Sequence, residues 1–235
     1  LGISMLKNLQ KDLEKLKNPE KAKILARFFK TGKGEYGEGD IFLGIQVPDT
    51  RKIAKKYTNL DFKDVEELLR SKIHEHRLAA LLVLREKFTK ANNKEKAKIF
   101  NFYLKNTKKI NNWDLVDLSA EQIIGPYLKD KDKLILSRLA KSNNLWEKRI
   151  SIISTFSYIK SNQFEETFRI SEILLNDKHD LIHKAVGWML REIGKRDQRV
   201  EEIFLKKHYK EMPRTMLRYA IEKFDEDKRK FYLMK

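Results

Sequence analysis

Polar, charged residues recur along this chain at an interval that only stacked helical units explain. Arg77, Arg149, Lys184 and Arg218 fall in register, with Asp117 between the first two, at separations of 40, 32, 35 and 34 residues. Periods of this size mark repeat architectures. The apolar residues agree. Val65, Leu68 and Leu69 are spaced i, i+3, i+4, and so are Leu78, Leu81, Leu82 with Arg85, and Leu181, Ala185, Trp188 with Met189. Strand-like alternation is nearly absent, and the pattern predicts about twelve helices joined by short polar turns. The four prolines, Pro19, Pro48, Pro126 and Pro213, are expected near helix starts or in connections, where a missing N–H is tolerated.

A helix pair of this kind cannot bury its apolar face alone, so pairs stack on their neighbours. The uneven spacing points to degenerate repeats of the HEAT type. The expected fold is all-α, a HEAT-like helical-repeat solenoid (an α-α superhelix), with second helices lining a concave face that carries the basic row. One domain is expected over residues 1–235, with 1–4 read as an added remnant or a trimmed start and Met5 as a candidate initiator.

The chain has no cysteine, which excludes disulfides, thiolate nucleophiles and iron–sulfur clusters. No apolar run approaches the roughly 20 residues of a membrane span, and no signal-peptide pattern is visible. The expected location is cytoplasmic. Lys and Arg number 51 against 34 Asp and Glu, a net charge of +17. Such an excess fits a polyanion, most simply nucleic acid. It also fits a lysine-rich proteome, and charge alone does not separate DNA, RNA and anionic lipid.

One segment breaks the helical rhythm. Thr31 to Asp40 holds Gly32, Gly34 and Gly37, which satisfy G-x-G-x-x-G. A dinucleotide site is rejected, because the preceding Leu25–Lys30 looks helical rather than strand-like, and Glu35 and Glu38 would repel a pyrophosphate. The segment reads as a connecting loop or as a loop whose N–H groups touch a nucleic-acid backbone. The five histidines form no convincing metal set: His179 and His183 are i, i+4 but lack the intervening carboxylate of H-E-x-x-H. Neither a metal nor an organic cofactor is expected.

Asp117 is the anion in the cationic row. A lone carboxylate there suits a positive charge that forms during a reaction, or an ion pair with Arg149 of the adjacent repeat. Asp114, three residues earlier, is expected at the surface or as a cap. Trp113, Trp146 and Trp188 lie at −4, −3 and +4 from register residues, within about one turn of the row. Each is a core residue or an aromatic plane for a nucleotide; core packing is the stronger reading for Trp146.

Four strings carry a family resemblance. They are G-E-Y-G-E-G-D with F-L-G-I-x-V-P (Gly34 to Pro48), N-W-D-L-V-D (Asn112 to Asp117), L-W-E-K-R (Leu145 to Arg149) and K-A-V-G-W-M-L-R-E (Lys184 to Glu192). Together they resemble the DNA alkylation repair glycosylases of the AlkD type, over nearly the whole chain. The resemblance implies that Trp113, Asp117, Arg149 and Trp188 are active-site residues. An aromatic, often Tyr, falls on Phe28, which keeps the ring and loses the hydroxyl.

The resemblance also implies removal of cationic N3- and N7-alkylated purines from duplex DNA, a step of base excision repair, by a monomer that uses water as nucleophile. Asp117 would stabilise the sugar cation, Trp113 and Trp188 would exclude solvent, and Arg149 would hold a phosphate. Phe28 would stack, and Arg77, Lys184 and Arg218 would bind flanking DNA backbone. A row of side chains on a concave face offers no obvious deep pocket. Two other classes fit the same sequence: a non-catalytic repeat protein that binds damaged or branched DNA, and a protein–protein scaffold.

Overall fold

The computed structural model describes residues 4–234; the segment 1–4 read as a remnant or trimmed start falls almost wholly outside them. Among the described residues there are sixteen α-helices, one 3-10 turn and no strand, so the chain is all-α. A single parallel bridge, Ile41 to Ile73, is the only extended pairing among them. No described helix is long and apolar enough to cross a membrane.

The chain divides into two compact units, residues 1–119 and 120–235. The first holds α1 (Met5–Glu14), α2 (Pro19–Phe28), α3 (Val47–Lys56), α4 (Phe62–Leu69), α5 (His74–Lys90), α6 (Asn93–Lys105) and the short α7 (Trp113–Asp117). Its axis is α5, against which α3 and α4 pack. Leu78 to Leu84 are buried all round that helix, and Val65, Leu68 and Leu69 of α4 supply the facing apolar stripe. Helix starts follow the expected chemistry. Ser4, Asn18, Asp61 and Asn92 cap α1, α2, α4 and α6 through their side chains, and Asn92 with Glu95 completes a capping box.

The second unit holds α8 (Ala120–Leu128), α9 (Leu134–Ala140), α10 (Leu145–Ser154), α11 (Phe156–Ile159), α12 (Glu165–Leu174), α13 (Asp180–Gly194), α14 (Gln198–His208), α15 (Arg214–Ala220) and α16 (Glu226–Leu233). Its tightest pair is α13 on α15. Gly187 makes that crossing close, since a Cβ there would lie 2.5 Å from the Met216 carbonyl oxygen. Three prolines take the expected places: Pro19 and Pro48 in first turns and Pro213 at the cap of α15. Pro126 does not. It lies inside α8, two residues before Leu128, and withholds the helical N–H that the Gln122 carbonyl would otherwise accept.

Candidate functional site

The first unit contains a cleft of about 460 Å³ walled by aromatic side chains, more of a pocket than a row of side chains led one to expect. Phe28, Phe29, Phe42, Trp113 and Asp117 all line it, with Leu25, Ile45, His74, Glu75 and Leu78. Three stacks build one wall. Trp113 lies on Phe29 with ring centres 5.0 Å apart, Phe29 on Phe42 at 5.1 Å, and Phe42 on the His74 imidazole at 4.5 Å, all within 22° of parallel. Phe28 meets Trp113 edge-on at 5.8 Å and is 60% exposed, the arrangement of a ring with a free face.

Trp113 and Asp117 share α7, only five residues long, and the surrounding chain holds that helix at both ends. At its start the Asn112 side chain accepts from the Trp113 amide at 2.8 Å. His74 Nε2 lies 2.7 Å from Asp114 Oδ2. Just beyond its end, Arg85 donates to the Leu118 carbonyl at 3.0 Å, and the Tyr103 hydroxyl meets Ser119 Oγ at 2.8 Å. Burial pushes the Tyr103 phenol up, and the Asp117 carboxylate adds to the rise. Trp113 and Asp117 themselves are half-buried.

Behind the cleft the charges are paired. Arg77 donates to Asp40 Oδ2 at 2.6 Å and to the Ser71 carbonyl at 2.8 Å, and its residue is 3% exposed. Arg77 is therefore a buried structural cation, not the backbone-binding residue the register suggested; the start of α5 lies inside the unit. Asp114 is corrected too. Its Oδ1 does accept from the Leu115 amide, but the side chain is buried against His74 rather than at the surface. Burial opposes a charged His74, yet the Asp114 carboxylate and the nearby Asp40 outweigh it, and Arg77 subtracts little. The imidazole is pushed up to about 9.

Glu75, next in α5, is cradled by the amides of Leu43, Gly44 and Ile45 at 2.9, 2.9 and 3.2 Å. This explains the F-L-G-I string. Gly44 has φ of 87°, and a Cβ there would sit 2.1 Å from the Asn18 carbonyl oxygen. The glycine-rich loop follows α2, so no strand precedes G-x-G-x-x-G. Its free amides are used internally: Gly32 N–H donates to Glu35 and Gly34 N–H to Glu38, both at 2.8 Å. That favours the connecting-loop reading over one in which these amides meet a phosphate.

The remaining expected residues belong to the second unit. Trp146 is buried, as core packing requires. Arg149 is 5% exposed and donates to the Leu181 carbonyl at 2.5 Å, tying α10 to the start of α13. Trp188 is half-buried, its indole N–H on Glu192 at 3.2 Å and its ring edge-on to Phe156. Lys184 pairs with Asp180 at 2.7 Å, and Arg218 is exposed on α15. The G-W-M-L-R-E string is accounted for by these contacts and by the pairing of Arg191 with Glu222.

Sequence reasoning missed Phe29, Phe42, His74, Glu75 and Asp40. The signal was present: His74-Glu75-His76-Arg77 puts four ionisable groups directly ahead of the apolar run of α5.

Comparison with known proteins agrees with this architecture. The chain belongs to the DNA alkylation repair enzyme family, whose model matches residues 9–224. Its fold is similar to that of a predicted DNA alkylation repair enzyme from Enterococcus faecalis, with TM-score 0.66 and 16% identity over 89% of this chain and 97% of that one. It is also similar to AlkD2 from Streptococcus mutans, with TM-score 0.54 and 21% identity over 95% of this chain and 100% of that one. The comparison with curated proteins gave no match.

Proposed function

We propose that the protein is a monofunctional DNA glycosylase that hydrolyses the N-glycosidic bond of cationic N3- and N7-alkylated purines in duplex DNA. The observation that carries this reading is that Asp117 lines an aromatic cleft beside Trp113 and Phe28, in a member of a DNA alkylation repair family; the other carboxylates of the cleft, Glu75 and Asp114, are held by backbone amides and by His74. An alkylated purine is already positive and departs without a general acid, so the paired carboxylates of ordinary glycosidases are not required. As the bond breaks, positive charge passes to the deoxyribose. Asp117 stabilises that oxocarbenium-like cation and orients the attacking water. Trp113 and Phe28 offer faces to the sugar and its neighbours and keep bulk water away.

Trp188 keeps the solvent-excluding role that family resemblance gives it; Arg149, buried like Arg77 and bonded to the Leu181 carbonyl, is assigned a structural role in place of phosphate holding. Lys184 and Arg218 bind flanking backbone, a salt-dependent and sequence-blind contribution. DNA would be the partner of a monomer, in the compartment that holds the chromosome.

The test is release of 7-methylguanine from methylated duplex. Asp117→Asn should lower the single-turnover rate by roughly 10²–10³-fold while duplex affinity stays near wild type. Normal excision by this variant rejects the role assigned to Asp117. Binding without any release by the wild-type protein would favour a non-catalytic DNA-binding member.

A further inference from the structure

We propose that His74 is the positioning residue for Trp113 and Asp117, fixing α7 from one side and the plane of the Trp113 ring from the other. Two independent contacts carry this. The first is the bond from the imidazole to Asp114, at 2.7 Å, on the same five-residue helix that presents Trp113 and Asp117. The second is the ring column, in which His74 lies under Phe42, Phe42 under Phe29, and Phe29 under Trp113. A helix this short has little stability of its own, because nucleation is costly and few backbone bonds repay it. Its orientation therefore comes from what it is tied to.

The tie is electrostatically deliberate. His74 is 2% exposed and faces Asp114 from α7, Asp40 at 3.5 Å from the end of the glycine-rich loop, and Arg77 from its own helix. Asp40 is shared with Arg77, so two cations and two carboxylates close on one another with no charge left over. Such a cluster is rigid: moving one member strands another in an apolar setting. A rigid anchor is what an Asp that stabilises a transient cation needs, since displacements near 1 Å at a reacting centre cost about two orders of magnitude in rate. His74 itself does not touch substrate in this scheme; it acts through α7.

The catalytic half of this inference rests on the glycosylase reading, and the positional half does not. The chain supplies its own control, because Trp113 is in the first unit while Trp146 and Trp188 are in the second. Indole N–H resonances of ¹⁵N-tryptophan-labelled protein, assigned by Trp113→Phe, should show the Trp113 signal shifted or broadened in His74→Gln and in Asp114→Asn. The Trp146 and Trp188 signals should stay in place. Single-turnover release of 7-methylguanine should fall roughly 10- to 100-fold, with duplex affinity changed less than about threefold.

An unmoved Trp113 signal overturns the proposal, and so does a moved signal with an unchanged rate. Equal movement of all three signals means general loosening and overturns it as well. Should His74→Gln fail to fold, Asp114→Asn carries the test, since it retains the oxygen that accepts from Leu115. If the wild-type protein releases no base, the glycosylase reading fails by itself; the indole signals still decide whether His74 positions Trp113.

Discussion

His74 in the first unit and Glu201 in the second are buried and each holds its proton far more tightly than in an unfolded chain, for opposite reasons. In the first, His74 is pushed up to about 9 because its charged form is paired with Asp114 and neighboured by Asp40. In the second, Glu201 of α14 is 1% exposed, and neither carboxyl oxygen has a hydrogen-bond partner. Burial, with the Glu202 charge adding to it, pushes Glu201 up to about 9. One site keeps its proton in order to be charged; the other keeps it in order to be neutral. Burial alone therefore says little about charge, and the partners decide.

The sharpest way to break the contrast is to remove one partner from the paired cluster. Arg77→Met should destabilise the protein by about 3–5 kcal/mol, because Asp40 is left buried without its strongest counter-charge. Urea unfolding measures this, and a loss below about 1 kcal/mol would mean that the cluster behaves like surface charge. Removing the ionisable carboxyl at the lone site should do the reverse. Glu201→Gln should stabilise by about 1–3 kcal/mol at pH 8, since burying an ionisable carboxyl at that pH carries a cost that an amide avoids.

The pH dependence sharpens the comparison further. Glu201 contributes most below its unfolded pKa of 4.5, and that contribution declines steadily as pH rises to about 9. The contribution of His74 is complete below 6.5 and is lost between there and about 9. Wild-type stability should thus fall from pH 6 to 9. Glu201→Gln and His74→Gln should each flatten that fall, the first while raising stability and the second while lowering it. Parallel urea titrations at pH 6 and pH 9 decide it; an unaltered slope in Glu201→Gln would show that its proton is not retained.

The smallest effect lies at the surface. Neutralising Lys184 and Arg218 should leave stability within about 0.5 kcal/mol. It should still reduce the slope of log affinity against log salt for duplex DNA by about 0.9 per residue. A slope that stays put would remove both from the DNA-binding set.

Most of the helical architecture was legible because periodicity reports burial directly. Val65, Leu68 and Leu69, and Leu78 with Leu81 and Leu82, are all buried where their spacing put them. Trp113, Asp117 and Phe28 could be named as a group and do line one cleft. What spacing does not report is the identity of the neighbour. Arg77 was in register with cations expected to line a binding face, yet it faces Asp40, 37 residues earlier. Asp114 was expected at the surface or as a cap, not against His74, 40 residues away in α5. The stacked Phe29 and Phe42 come from an α2 end and a loop that the sequence joins only through a glycine-rich segment. Long-range partners of this kind leave no periodic trace.

Helix α2 has no buried residue, although Leu25 and Phe28 form one lip of the cleft. Phe28, 60% exposed, gains further packing only when something else covers it. An occupant and this lip would then order each other: whatever settles in the cleft lends α2 the hydrophobic cover its own chain withholds, and amide exchange along that helix should slow in proportion to occupancy.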